Sequence, residues 1–208
     1  EDGLKKIQIN GSSFTDTAGN DNVASNSFEW TYDTASPTIS ITSAEAASGA
    51  STNDGSLFLT FTSNESTTDL DVGDINVTGG NLSGFNGSGT TYTATFTPTG
   101  QGAKTIQING SRFTDTAGNN NTASSAFNWT YDKDKPTISI TSADGVSGFK
   151  GYDSTSINLT FTTSEDTNDL TKNDITITAG SIGPLIKNGN TYTTTFTASD
   201  DEKNIISI

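Results

Sequence analysis

The stretch Phe14-Thr15-Asp16-Thr17-Ala18-Gly19-Asn20 recurs as Phe113-Thr114-Asp115-Thr116-Ala117-Gly118-Asn119, 99 residues further along the chain. Each copy leads into an aromatic stretch, Phe28 to Asp33 or Phe127 to Asp132, which is followed by a proline. A period of this length is that of a whole domain rather than of a solenoid repeat. The sequence therefore predicts an array of similar domains, and such arrays usually space, stiffen or adhere.

Composition narrows the class of partner. The 208 residues include 24 acidic and 10 basic side chains, for a net charge of −14. This balance argues against nucleic acid and against anionic lipid, both of which need a basic surface. It is compatible with divalent cations, although a solvated acidic surface explains most of these carboxylates equally well.

Three residue types are missing. The chain has no Cys, Met or His, so disulfides, thiol nucleophiles, His-dependent triads and His-ligated zinc are excluded. No apolar stretch is long enough to cross a bilayer, so direct membrane insertion is not expected. The acidic residues recur with the repeat rather than as one isolated pair, which does not favour an enzyme.

Strict alternation of apolar and polar residues predicts strands throughout. Between Pro37 and Asp132 we expect seven short strands, A to G, of which D is the weakest. Their inward residues are Ile39 and Ile41; Leu57, Leu59 and Phe61; Ile75 and Val77; Leu82 and Phe85; Tyr92, Ala94 and Phe96; Ile106 and Ile108; Phe127, Trp129 and Tyr131. The predicted fold is all-β, with tandem immunoglobulin-like antiparallel β-sandwiches of about seven strands per repeat.

The period divides the chain into three parts. Residues 34–132 form a complete repeat, and residues 1–33 hold strands F and G of a preceding one. Residues 133–208 hold strands A to F of a following repeat, with Ile175 and Ile177 at strand C and Ile206 and Ile208 at strand F.

Two explanations fit these partial repeats. One is a window cut from a longer array, in which the partners are neighbouring repeats of the same chain. The other is head-to-tail complementation, in which the C-terminal part of one copy accepts the N-terminal part of another.

In an immunoglobulin-type sandwich the B–C and F–G loops meet at the pole where the N-terminus enters. For the complete repeat this pole gathers carboxylates and amide oxygens without a basic partner, a set that suits Ca²⁺. The residues are Asp33 from the linker, Glu65, Asp69, Asp71 and Asp74 from the B–C loop, and Asp115, Asn119 and Asn120 from the F–G loop.

The next junction repeats the acidic pattern with Asp132, Asp134, Glu165, Asp169 and Asp174. An interdomain Ca²⁺ site is therefore predicted, and Ca²⁺ should raise the melting temperature and straighten the array. The alternative is local: Asp and Asn bond their own backbone in a turn, and Gly supplies a positive φ.

The run from strand F through D-T-A-G-N to the aromatic strand, and then to Pro-Thr-Ile-Ser-Ile at Pro37 and Pro136, resembles bacterial Ig-like repeats. The resemblance implies a non-catalytic extender of a large extracellular or cell-surface adhesin, stiffened by Ca²⁺ at domain junctions. Carried over by position, it implies Asp16, Asp33, Asp115 and Asp132 as ligands. One departure is Asp132-Lys133-Asp134-Lys135, whose lysines could pair with the acids instead.

Two other functions stay open. One is a carbohydrate- or surface-binding module, for which Phe85, Phe149 and Tyr152 are the loop candidates. Trp30 and Trp129 alternate with other aromatics on one strand face and are expected in the core rather than in a sugar platform. The other is a self-assembling fibre subunit, which the partial repeats favour. The adhesion target cannot be read from stalk repeats.

Overall fold

The structure is a computed structural model that describes residues 1–144 and 156–199. These residues form fourteen strands and two 3₁₀ turns, Val72–Asp74 and Lys172–Asp174. The strands are β1 (Gly3–Ile7), β2 (Phe28–Tyr32), β3 (Ile39–Ser43), β4 (Ser51–Thr52), β5 (Leu57–Thr67), β6 (Ile75–Thr78), β7 (Gly80–Pro98), β8 (Gly102–Ile108), β9 (Phe127–Tyr131), β10 (Ile138–Thr141), β11 (Ser156–Thr163), β12 (Gly180–Ile182), β13 (Ile186–Asn188) and β14 (Thr191–Ala198). The predicted all-β class is confirmed.

The chain divides into two compact units, residues 1–133 and 134–208. In the first unit, residues 34–132 form two facing sheets, with strand orders β3-β5-β7 and β4-β9-β8-β6. All pairs within them are antiparallel except β4 with β9. The two sheets are those expected of an immunoglobulin-like sandwich, with strands A, B and E in one and C, F and G in the other.

Alternating burial explains why these two sheets pack together. Along β5, Leu57, Leu59 and Phe61 are buried, whereas Phe58 between them points outward and is 51 % exposed. The rings of Phe96 on β7 and Trp129 on β9 meet edge-on across the two sheets, with centroids 4.6 Å apart. One continuous apolar core therefore joins the sheets, and threonines occupy much of the outer faces.

The N-terminal residues of the first unit form a two-stranded ribbon. β1 pairs with β2 in the register Gly3↔Tyr32 to Ile7↔Phe28. β8 and β9 use the equivalent register, Gly102↔Tyr131 to Ile106↔Phe127. Residues 1–33 therefore have the local structure of residues 100–132, but the other strands of the first unit do not cover their apolar side. The expectation of a core position holds for Trp129, which is 3 % exposed, and is wrong for Trp30, which is 41 % exposed.

The second unit contains one sheet of order β10-β11-β14-β12, with β13 also paired to β14. Ile138↔Thr163 and Phe161↔Tyr192 are the counterparts of Ile39↔Ser63 and Phe61↔Tyr92 in the first unit.

The prediction of strand C at Ile175 and Ile177 is wrong, because these residues lie outside any strand. The corresponding strand β6 pairs only with β8, and the predicted strand F at Ile206 and Ile208 lies outside the described residues. In the first unit, strand C is held in its sheet by backbone pairing with β8, and alternation of apolar residues does not by itself supply such a partner.

Candidate metal centre

Two loops meet at one pole of the complete domain. Thr67, at the end of β5, forms a bridge with Asp115 in the loop between β8 and β9. The Tyr92 hydroxyl donates to the carbonyl of Thr67 at 2.9 Å and anchors this end of β5 to β7. The B–C and F–G loops are thus held together by backbone and core contacts before any ion is considered.

Asp69 joins the same two loops through hydrogen bonds of its side chain. Its carboxylate accepts hydrogen bonds from the Thr114 amide, at 3.0 Å, and from the Thr114 hydroxyl, at 2.8 Å. A third bond comes from the Thr67 hydroxyl at 2.9 Å. Burial raises the pKa of Asp69, but the hydrogen bonds from Thr114 and Thr67 outweigh it and hold the pKa below its ordinary value.

Asp115 organises the F–G loop from within. Its Oδ1 accepts from the Ala117 and Asn119 amides at 2.8 and 2.9 Å, and its Oδ2 accepts from Asn119 Nδ2 at 2.9 Å. Burial raises the pKa of Asp115, but these hydrogen bonds outweigh burial and hold the pKa below its ordinary value. Asp16 accepts the equivalent three bonds in the first copy of the loop, where it is exposed. The local-turn interpretation of the D-x-A-G-N pattern therefore describes both copies.

Three carboxylates converge around Asp115. Asp33, Glu65 and Asp115 each offer one oxygen, and these oxygens all lie within 4.8 Å of one another. Asp115 is only 5 % exposed, and the other two side chains are half-buried. The ion pairs formed by described residues, Lys6 with Glu29 and Lys187 with Asp166, lie elsewhere. The cluster can hold a metal ion, because like charges this close favour a cation between them.

Each member of the cluster comes from a different segment. Asp33 follows β2, and its Oδ1 accepts from the Ala35 amide at 3.0 Å. Glu65 lies near the end of β5, with Oε1 accepting from Asn64 Nδ2 at 3.0 Å. Asn119 Nδ2 donates to the Asp33 carbonyl at 3.2 Å, so the linker already contacts the F–G loop.

The remaining predicted ligands are dispersed. Asp71 and Asp74 cap the 3₁₀ turn at Val72–Asp74, and Asp174 bonds the Thr171 amide and hydroxyl in the equivalent turn. Asp132 directly follows β9 in the first unit, whereas Asp134, Glu165 and Asp169 belong to the second. Among the described residues, Asp33, Glu65 and Asp115 are the only three acidic side chains whose oxygens all lie close enough to share one ion.

Asn121 is a residue that sequence reasoning missed. It is 3 % exposed and makes four hydrogen bonds: Oδ1 accepts from the Arg112 and Phe113 amides, and Nδ2 donates to the Asn109 and Thr122 carbonyls. The signal was present, because Asn22 occupies the equivalent place in the first copy, two residues beyond the quoted motif.

The comparison with known families agrees with this architecture. The model of the Bacterial Ig-like domain matches residues 33–131 and again residues 132–208. The chain belongs to this family. No curated protein matches it. Bacterial Ig-like domains are typical of surface proteins and are generally non-catalytic. Within the described part of this bacterial Ig-like chain, no helix has the length and apolarity needed to span a membrane.

Proposed function

We propose that this chain is a non-catalytic extender segment of a bacterial surface adhesin or fibre, which acts outside the cell. In this proposal Ca²⁺ binds at Asp33, Glu65 and Asp115 and stiffens the connection between the linker and the complete domain. The family assignment and the 99-residue period support the extender. The proposal keeps the division into residues 1–33, 34–132 and 133–208 as late, complete and early parts of successive repeats.

The observation that carries the calcium proposal is the convergence of three carboxylate oxygens within 4.8 Å, from three segments of the chain. Calcium binds oxygen ligands at about 2.3–2.6 Å, so oxygens that surround one ion lie within about 5 Å of one another. Asp33 belongs to the linker, and Glu65 and Asp115 belong to the domain. An ion shared among them would restrict hinge motion at Asp33, which is what an extender requires.

The other predicted ligands do not bind this ion in the proposal. Asp69 and Asn119 orient the loops around the ion, because their polar atoms already bond Thr114 and Asp115. Asp16, Asp132, Asp134, Glu165 and Asp169 would serve equivalent sites at other junctions. Those sites stay predictions.

The test is a pair of thermal melts, one in excess EDTA and one in calcium. Saturating Ca²⁺ at about 100 times its dissociation constant adds roughly 2.7 kcal/mol, which raises the melting temperature of the complete domain by several degrees. Glu65→Gln should abolish most of this rise, because it removes one of the three carboxylates around the ion. The variant should still fold, because the hydrogen bond that the Glu65 side chain accepts comes from its neighbour Asn64. Identical wild-type melts in EDTA and calcium would contradict the proposal.

Glu45→Gln is the matched control. Glu45 is an exposed carboxylate of the same domain, far in sequence from the cluster, and its side chain accepts from the Ser43 hydroxyl. It removes the same charge as Glu65→Gln, so its calcium response should equal that of the wild type.

The carbohydrate-binding alternative finds less support. Phe85 stacks on Tyr92 at 5.6 Å and packs against the core, so it is not an exposed platform. The other two aromatic candidates, Phe149 and Tyr152, lie outside the described residues.

A further inference from the structure

A parallel strand pair joins the segment by which the chain enters the complete domain to the segment by which it leaves. β4 pairs with β9 in the register Ser51↔Thr130 and Thr52↔Tyr131. β9 is the last strand of the domain and lies between β4 and β8 in its sheet. β4 belongs to the first segment of the domain, which follows the linker. The two ends of the domain are therefore bonded directly to each other.

Hydrogen bonds extend this pairing beyond the short ladder. They all connect residues 48–52 to residues 128–132 and are formed by backbone amides. The bonds run from the Gly49 amide to the Asn128 carbonyl at 2.6 Å, from the Asn128 amide to the Ser48 hydroxyl oxygen at 3.1 Å, from the Thr130 amide to the Ala50 carbonyl at 2.9 Å, and from the Asp132 amide to the Thr52 carbonyl at 3.0 Å.

The same alignment begins closer to the linker. The Thr122 amide donates to the Pro37 carbonyl at 2.9 Å, and Asn119 Nδ2 donates to the Asp33 carbonyl at 3.2 Å. Positions 33, 37, 48, 50 and 52 thus bond to positions 119, 122, 128, 130 and 132, in that order. The entering and leaving segments run in the same direction and are joined at intervals along their length.

This parallel arrangement decides how tension would reach the hydrogen bonds. The chain enters beside the F–G loop and leaves at the far end of β9, because β9 runs away from that loop. Pulling the two ends of the domain apart slides residues 48–52 along residues 128–132. Bonds that cross between the strands are then loaded together. If both strands were pulled from the same end, the bonds would break one after another.

Both segments are anchored in the core, so neither can slide alone. On β9, Phe127 and Trp129 are buried, and the strand also pairs with β8 from Gly102↔Tyr131 to Ile106↔Phe127. On the entering segment, Ile39 and Ala46 are buried on either side of the pairing between β3 and β5. Sliding the segments therefore disturbs the core as well as the hydrogen bonds.

We propose that residues 48–52 and 128–132 form a mechanical clamp, which keeps the complete domain folded while tension passes along the chain. The inference rests on the extender role proposed above, because a segment that spaces other parts of a surface protein transmits force. The clamp contains none of the three candidate calcium ligands, and its resistance does not require calcium.

The experiment is single-molecule force spectroscopy on the full chain in EDTA. The chain has no cysteine, so two introduced cysteines provide the attachment points. Ser36→Cys with Lys133→Cys pulls the domain from its two ends and loads the clamp by sliding. Asp54→Cys with Lys133→Cys peels the clamp, because these residues lie just beyond β4 and β9 at the same end of the pair.

The two pulling directions act on identical hydrogen bonds. The sliding direction should require a severalfold higher force than the peeling direction at the same loading rate. The reason is that several bonds must fail together in the first case and one at a time in the second. Equal forces in the two directions would overturn the clamp.

Ser48→Ala tests the clamp at a single bond, since it removes the acceptor of the Asn128 amide. During sliding, the variant should unfold roughly two- to tenfold faster at a given load, which is the effect of one hydrogen bond on an unfolding rate. During peeling, the bonds at Thr52 break first, so the rupture force should equal that of the wild type. That unchanged force also shows that the variant is folded.

Ser83→Ala is the matched control. The Ser83 hydroxyl donates to the Thr95 carbonyl at 3.4 Å, away from the clamp. This variant should resist sliding like the wild type, and equal sliding kinetics of Ser48→Ala and Ser83→Ala would overturn the proposal.

The clamp and the calcium proposal fail by different results. The force measurement is made in EDTA, and the attachment at Ser36 leaves Asp33 outside the loaded part of the chain. Equal forces would therefore remove the clamp and leave the calcium proposal standing. Identical melts in EDTA and calcium would contradict calcium binding without changing the forces expected here.

Discussion

At the residue scale, carboxylates of one type perform different tasks according to their surroundings. Asp69 and Asp115 lie in neighbouring loops, and both have a pKa below its ordinary value because of hydrogen bonds to the ionised form. The carboxylate of Asp69 accepts hydrogen bonds from Thr114 and thereby holds two loops together. Asp115 folds its own loop and also faces Asp33 and Glu65. Residue type alone does not distinguish an aspartate that joins two loops from a candidate metal ligand.

Asn121→Ala should destabilise the complete domain by about 3 kcal/mol, because it leaves buried amides without acceptors. The Arg112 and Phe113 amides lose bonds of 2.7 and 3.0 Å. Urea unfolding followed by the fluorescence of buried Trp129 measures the change.

Asn22→Ala is the matched control, since Asn22 makes the equivalent four bonds in the exposed ribbon. Water can replace those bonds, so the transition of the complete domain should stay within about 0.5 kcal/mol of the wild type. Equal effects of the two substitutions would show that burial is not the reason for the loss.

At the element scale, close packing between the two ends of β7 explains why position 80 is a glycine, which strand propensity alone does not explain. A Cβ on Gly80 would lie 2.1 Å from Phe96 Cζ, and one on Gly180 would lie 2.4 Å from Phe196 Cζ. The same glycine–phenylalanine contact thus recurs in both units. It requires the absence of a side chain at the start of strand D.

Gly80→Ala should cost about 1–3 kcal/mol, because the buried Phe96 ring and the backbone carbonyl of Thr97 must both move to make room. Chemical denaturation of the full chain measures it. Gly55→Ala is the control, since nothing lies within 4 Å of a Cβ there. A neutral Gly80→Ala would mean that Phe96 can be accommodated elsewhere.

At the scale of the whole molecule, the excess of negative charge destabilises the folded state. The chain has a net charge of −14, and self-repulsion of this kind destabilises the folded state. Raising NaCl from about 10 to 150 mM shortens the screening length from about 30 to 8 Å. In EDTA, the melting temperature should rise by a few degrees, as measured by calorimetry.

Tetramethylammonium chloride at the same ionic strength is the control, because its cation cannot enter a carboxylate cluster. Screening predicts the same rise with both salts. A rise with NaCl alone would point to sodium binding instead, and a fall would contradict the argument from net charge.

For the complete repeat, alternation and periodicity were enough to predict the strands and their inward faces. Alternation shows which side of a strand is apolar, and a period of 99 residues shows where the unit recurs. That is why Leu57, Phe61 and Trp129 were predicted in the core and are found there. The same reasoning brought the acidic loops to one pole, because strand order sets which loops are neighbours.

Which predicted positions have partners depends on the three-dimensional fold. Trp30 and Trp129 have the same neighbours in sequence, yet one is half-exposed and the other is buried, because a second sheet covers only Trp129. Ile175 and Ile177 of the second unit alternate like strand C, yet they lie outside any strand. Of the many carboxylates at the predicted poles, Asp33, Glu65 and Asp115 converge, since convergence depends on loop paths in three dimensions. Burial and pairing are properties of the assembled fold, whereas periodicity is a property of the chain.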